Sequence, residues 1–213
     1  MGALFTNGSA SAQIKTGSGK VFGIVANSHS SGTIRLNDGT SGTTSAGVKA
    51  TGVLTSSGVF QDGETVTIGG ETYTFKTALT GVPDEVLIDV SAAASLDNLK
   101  VAINGGAGEG TKYGTGTVAN VQVTATTNTD TAQTVEAKRV GTYGNAIATT
   151  ETCDNVAWGA AVLENGAEPS LLMVNTYSFA SGSGILSFPE PIAFVDGLYL
   201  TIGGTLDYTV IYS

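Results

Sequence analysis

Few residues in this 213-residue chain have the type to carry chemistry, and they are scattered. His29 is the one histidine, set in "ANSHSSG" among turn formers. No nucleophile elbow completes a Ser-His-Asp arrangement around it, and no ligands cluster near it for zinc. It reads as a solvated turn residue. Cys153 stands alone, which excludes an intrachain disulfide and a thiolate metal set; it reads as a small, half-buried residue. Asp62, Glu64, Asp84, Glu85 and Asp89 form a loose acidic group. Carboxylate pairs at a set separation hydrolyse glycosides, but nothing in this spacing fixes a separation, and no D-x-D-x-D-G calcium loop occurs. "TGSGKV" (16–21) looks like half of a phosphate-binding loop, yet Ile14 and Val21 stand where the pattern needs glycine and a hydroxyl. "GGAGEG" (105–110) follows a helical stretch instead of preceding one, so its amides cannot join a helix N-terminus around a phosphate. Trp158 and the seven tyrosines are of a type to stack on sugars, although core packing is the expected use of Trp158. The reading assigns no catalytic, cofactor-binding or metal-binding residue, and the chain is expected to be non-enzymatic.

Charged residues make up 13% of the chain, about half the roughly 25% usual in soluble domains. Gly, Ser and Thr take their place, a composition of short strands and tight turns. The net charge is −9, and only Lys138 and Arg139 are adjacent cations, so no basic stripe exists to neutralise phosphates. Nucleic acid is therefore not an expected partner. Nor is a membrane, because no run approaches the ~18 apolar residues of a span. "MGALFTNGSASAQIK" lacks the basic start and apolar core of a signal peptide. Gly2 and Thr6 match the myristoylation pattern, which is too short to carry a conclusion.

The elements that must position these residues are mostly strands. The tetrapeptide TIGG occurs in "DGETVTIGGETYTF" (62–75) and in "DGLYLTIGGTLDYTV" (196–210). A two-residue turn at Gly69-Gly70 sets Ile68 against Glu71, Val66 against Tyr73 and Glu64 against Phe75. Val66, Ile68, Tyr73 and Phe75 then share one face, and four threonines share the other. The second copy has one residue more before its tyrosine. A three-residue turn, Gly203-Gly204-Thr205, keeps Leu198, Leu200, Ile202, Leu206, Tyr208 and Val210 together, so a second hairpin with a different register is expected.

Three regions separate along the chain. The first, 1–49, reads as a polar leader, the strand "KVFGIVAN", the turn "SHSSG" and the strand "TIRLND". The second, 50–166, holds the first TIGG hairpin, four or five further short strands and one helix, "SAAASLDNLKVAINGG". Ser91 is its expected N-cap, Ala92, Leu96, Leu99 and Ile103 lie on one face, and Asn104-Gly105-Gly106 form its end. The third, 167–213, is dense in strands, with Pro189 and Pro191 marking an edge or a corner. The first region offers about two strands and cannot bury both faces alone, the third offers about four or five, and together they supply six or seven. The expected fold is mainly β. An outer antiparallel β-sandwich forms from 1–49 and 167–213, and an α+β domain, 50–166, with one helix on an antiparallel sheet, enters at the Gly/Ser/Thr-rich stretch 39–47.

The segment "DGETVTIGGETYTFKTALTG…EVLIDVSAAASLDNLKVAINGGAGEGTKYGTGT…VTAT…AKRVGTYGNAIATTET…WGAAVLENG" resembles a small domain that recurs in structural proteins of tailed bacteriophages. The outer pieces, "GKVFGIVANSHSSGTIRLNDGTSG" and "TYSFASGSGILSFPEPIAFVDGLYLTIGGTLDYTVIYS", resemble small β-sandwich virion proteins of phages. The resemblance implies a non-enzymatic virion component, first of all a capsid decoration (cement) protein of the head, with the major capsid protein or other virion proteins as partners. It further implies a homo-oligomer, a trimer at a threefold position, located on the virion and assembled in the host cytoplasm. The alternative is a tail or fibre component that binds host surface glycans. A glycan hydrolase has only the loose acidic group to support it.

Overall fold

Both ends of the chain build one unit, Met1–Gly47 with Glu168–Ser213, and the stretch between them, Val48–Ala167, builds a second. The structure is a computed structural model that describes residues 2–179 and 182–213; the side chains of His29, Ser30 and Ser183 lie outside the described residues. The first unit begins with β1 (Leu4–Gly8), β2 (Ala12–Thr16) and β3 (Gly19–Asp38). The inserted unit follows with β4 (Lys49–Ser56), β5 (Thr65–Ile68), β6 (Glu71–Lys76), β7 (Glu85–Leu87) and the helix α1 (Ala92–Asn104). It continues through β8 (Val123–Thr129), β9 (Ala132–Val140), a 3-10 turn (Thr142–Ala146), β10 (Thr149–Glu151) and β11 (Val156–Trp158). The chain then returns to the first unit through β12 (Leu171–Phe179), β13 (Gly182–Phe194) and β14 (Gly197–Tyr212).

The first unit is a single six-stranded antiparallel sheet, curled so that its two halves enclose one core. Strands β3 and β14 run through both halves, paired from Leu198 opposite Asp38 to Tyr212 opposite Val21. In one half they are flanked by β2 and β12, in the other by β1 and β13. The core side carries Ile24, Ala26, Ile34 and Leu36 of β3 with Leu198, Leu200, Leu206, Tyr208 and Val210 of β14, all buried. At the end of β3, the Asp38 carboxylate accepts from the amides of Val195 (2.8 Å), Asp196 (2.8 Å) and Gly197 (3.2 Å), which fixes the turn from β13 into β14.

Two expected turns are absent. "SHSSG" and the second TIGG are not chain reversals; each lies inside a long strand, and they sit opposite one another, Gly203 against Thr33 and Gly204 against Gly32. The reason is parity. Alternation decides which face a side chain takes, and a three-residue turn and an uninterrupted strand both leave residues 198–210 with the same face. The glycines instead make a crease. Gly204 has φ +79°, a Cβ there would overlap the Ser31 carbonyl oxygen, and the register shifts just beyond it, between Thr205 and Leu206. Glycine and a bulge at one line across a sheet are what bend it over its own core. The polar leader also proves to be structured, as edge strands β1 and β2. Pro189 and Pro191 lie in β13, which pairs only with β3 and shifts register between Ser187 and Ile192, an edge position as expected.

In the inserted unit the first TIGG is the expected two-residue hairpin, with Ile68 opposite Glu71 and Val66 opposite Tyr73. Val66, Ile68, Tyr73 and Phe75 are fully buried, and Phe75 stacks on Phe60 at 3.7 Å between ring centroids. Burying each such side chain stabilises the fold by about 1.5–3 kcal/mol relative to exposure. Helix α1 is capped at both ends. Ser91 Oγ accepts from the Ala94 amide at 3.1 Å, and Gly105, in the left-handed region at φ 59°, ends the helix. The amides of Gly105 and Gly106 turn back to the carbonyls of Ala102 and Val101. Leu96, Leu99, Ala102 and Ile103 are buried on one face. The strands form two four-stranded sheets where one was expected, β10-β5-β6-β7 and β11-β4-β9-β8, and the β6–β7 pair is parallel. Both sheets and the helix contribute to a single core.

The two passages between units are short. Ser45 and Ser170 exchange both backbone hydrogen bonds at 2.9 Å, and Val48 and Ala167 do so at 2.8 and 2.9 Å.

Candidate functional site

Each carboxylate flagged in the sequence, with one exception, accepts a hydrogen bond from a backbone amide. Asp62 accepts from the Thr77 amide (2.8 Å) and hydroxyl (3.2 Å) and pairs with Lys76 at 3.6 Å. The Thr77 amide is the main reason its carboxyl lies below the ordinary value. Glu64 is buried and accepts from the amides of Gln61 (2.8 Å) and Asp154 (2.9 Å). Glu85, also buried, accepts from the Thr80 hydroxyl (2.6 Å) and amide (2.7 Å), and the hydroxyl above all holds it below the ordinary value. Asp89 accepts from the Val90 amide at 2.7 Å. These carboxylates act as staples, each with at least one oxygen committed.

Asp84 differs. It has φ 62°, a left-handed conformation rare for aspartate; its Oδ1 is buried without a hydrogen-bond partner; and burial raises its carboxyl. Its neighbour is Glu71, whose carboxyl is raised first by burial and then by the Asp84 charge. Glu71 was not singled out in the sequence, although the hairpin register contains the signal. It has the parity of Tyr73 and Phe75, so it stands on the core face of β6.

The remaining flagged residues stay apart. His29 lies on β3 opposite Leu206, and its side chain is outside the described residues. The Cys153 thiol is pushed up to about 12, by burial first and then by Glu64 and Glu151, so it stays protonated at neutral pH. The first part of "TGSGKV" links β2 to β3, with Gly17 at φ 71°. In "GGAGEG" the Gly105 and Gly106 amides are tied to the helix, and the Gly108 carbonyl accepts from the amides of Thr111 and Lys112. Trp158 is half-buried against the core and forms one wall of a groove of about 340 Å³ with Thr149, Thr150, Glu151, Ala160 and Ala161. The Thr149 hydroxyl is already donated to the Ala160 carbonyl at 2.6 Å. Among the described residues, no three His, Cys, Asp or Glu side chains are grouped to hold a metal. No described helix is long and apolar enough to cross a membrane.

The most distinctive surface of the first unit lies along its free edges. Among the described residues, strand β1 pairs only with β14, and β12 and β13 pair only with β3, so each leaves one row of backbone groups unpaired by the sheet. These edges carry large apolar side chains in the open: Phe5 is 65% exposed, Leu4 50%, Leu171 54% and Ile185 70%.

Comparison with family models, with curated proteins and with solved structures finds no match for this chain.

Proposed function

We propose that this chain is a non-enzymatic phage virion structural protein, a capsid decoration (cement) protein of the head that docks through its curled β unit and presents the inserted unit. The observation that carries the reading is the apolar lining of both free edges of the β unit, Leu4 and Phe5 on one side and Leu171 and Ile185 on the other. Large apolar side chains on unpaired strand edges favour association with other protein surfaces. Cementing consists of burying such surface between neighbouring capsid subunits, so that opening the shell under DNA pressure costs more. The reading also rests on the resemblance of the sequence to phage virion proteins. The major capsid protein is the proposed partner, the capsid surface the proposed location after assembly in the host cytoplasm. A homotrimer at a threefold position is the proposed symmetry, because such a position repeats each contact in a closed ring.

One observation favours the second reading, a tail or fibre component that binds host surface glycans: the open Trp158 groove, with an aromatic wall, the Thr150 hydroxyl and the Glu151 carboxylate. A stacked sugar needs an aromatic face and fixed polar partners. Copy number separates the two readings. Quantitative mass spectrometry of purified particles is expected to give hundreds of copies per particle. A count in the tens would exclude a decoration role and favour the tail.

A further inference from the structure

Arg35 is a guanidinium without an acid. It stands on the outer face of β3, opposite Thr201 of β14, and neither ion pair among the described residues involves it. Asp38, the one acid of β3, has the opposite parity, and its oxygens accept from the amides of Val195, Asp196 and Gly197. The partner of the Arg35 side chain is instead a neutral one, the Gly42 carbonyl, which accepts from Nη2. The Arg35 Nε–H is buried and unpartnered. Gly42 thus engages one of the two parallel donors on that edge of the guanidinium. It belongs to the segment 39–47, which leaves β3 and passes over this face: a Cβ on Gly42 would meet the Thr201 hydroxyl and the Tyr199 ring. The Thr201 hydroxyl is itself buried without a partner. Asn37, two residues beyond Arg35 on the same face and opposite Tyr199, is fully buried with both amide atoms unpartnered.

Polar atoms here outnumber their partners, and an unpaired buried donor is destabilising, more so on a charged group. A cavity of about 190 Å³ adjoins them, lined by Thr33, Arg35, Thr176, Thr201 and Gly203 among others. Gly203 leaves its floor open, and β12 shifts register between Val174 and Tyr177 at its side. We propose that Arg35 binds a carboxylate, which enters from this cavity and replaces the Gly42 carbonyl. A carboxylate matches the Nε–Nη2 edge with two oxygens, and a charge-assisted pair is roughly twice as strong as a neutral hydrogen bond. The Thr201 hydroxyl supplies a further donor. The cavity is smaller than the ~300–1,000 Å³ of sites for drug-sized ligands, so it suits a small free acid or the end of a partner's acidic side chain. At a net charge of −9 the chain as a whole repels anions, so binding depends on this fork.

The chain has two arginines, Arg35 and Arg139, so side-chain Nε–H signals in ¹H–¹⁵N NMR spectra of the full-length protein separate site from control. Acetate is the probe, and sodium chloride is the ionic-strength control. A saturable shift of the Arg35 signal is expected, with the Thr43 amide moving in step as the Gly42 carbonyl is released. Arg139, which stacks on Tyr143, should not move. Thr201→Val should weaken acetate binding by about tenfold, the loss expected for a hydrogen bond to a charged group. Arg35→Lys keeps the charge but lacks the fork, and should abolish the saturable shift of the Thr43 amide. Repeating the titration with a blocked glutamate distinguishes the sources: tighter binding than acetate assigns a partner's side chain, weaker binding a free small acid. An unmoved Arg35 signal, an equal response to chloride, or undiminished acetate binding in Arg35→Lys would overturn the site.

Discussion

Val48 and Ala167, 119 positions apart in sequence, exchange both of their backbone hydrogen bonds, at 2.8 and 2.9 Å. The inserted unit therefore begins and ends at one point. Three residues outward on either side, Ser45 and Ser170 make the same exchange within the β unit.

The β unit should consequently survive removal of the insert. Replacing 48–167 with a short Gly-Ser linker leaves the Ser45–Ser170 pair to close the gap. Closure entropy depends only on the logarithm of loop length, so the expected change in stability is about 1–2 kcal/mol. Circular dichroism and thermal melting should show a cooperative β domain. An unfolded product would mean that the two units share one core.

The crease predicts a sharp difference between adjacent glycines. Gly204→Val places a branched side chain at φ +79° against the Ser31 carbonyl, with an expected loss of about 2–4 kcal/mol. Gly203→Ala meets only the Thr33 hydroxyl, which can rotate away, and should cost about 1 kcal/mol or less. Urea midpoints of the two variants check the difference. Deleting Thr205 should be worse than either, because it turns Leu206, Tyr208 and Val210 out of the core.

The contrast between the two TIGG copies shows what the sequence makes legible. At Gly69-Gly70 an even-membered turn is the one that keeps Val66, Ile68, Tyr73 and Phe75 together, so pattern and register agree. At Gly203-Gly204 the apolar positions keep one parity throughout, and parity alone does not distinguish a bend from a reversal. What decides it is β3, 170 positions away in the Gly203–Thr33 pairing, and such long-range partners leave no local mark. The helix was legible because its caps are local: Ser91 and Gly105 sit at its ends. The Glu71–Asp84 pair was half legible. Parity puts Glu71 on the core face, but bringing Asp84 beside it requires the parallel β6–β7 pairing, which no turn motif announces.

Two sets of acids oppose one another as pH changes. Glu71, Asp84 and Asp196 have raised carboxyls, so the folded protein binds their protons more tightly than the unfolded chain does. Their contribution is full below the ordinary carboxylate range and is lost as pH rises through the raised values. Asp62 and Glu85 are lowered, so their contribution is present above that range and is lost as pH falls. The melting temperature should therefore peak at mildly acidic pH. Asp84→Gly should flatten the decline on the neutral side. An unchanged decline in that variant would show that the pair does not govern it.

Co-sedimentation of the insert-free β unit with bare capsids tests docking through the curled sheet. This unit, once shown to be folded, is expected to pellet with capsids and to saturate at the same stoichiometry as the full-length chain. A folded β unit that stays in the supernatant while the full-length chain pellets would contradict it.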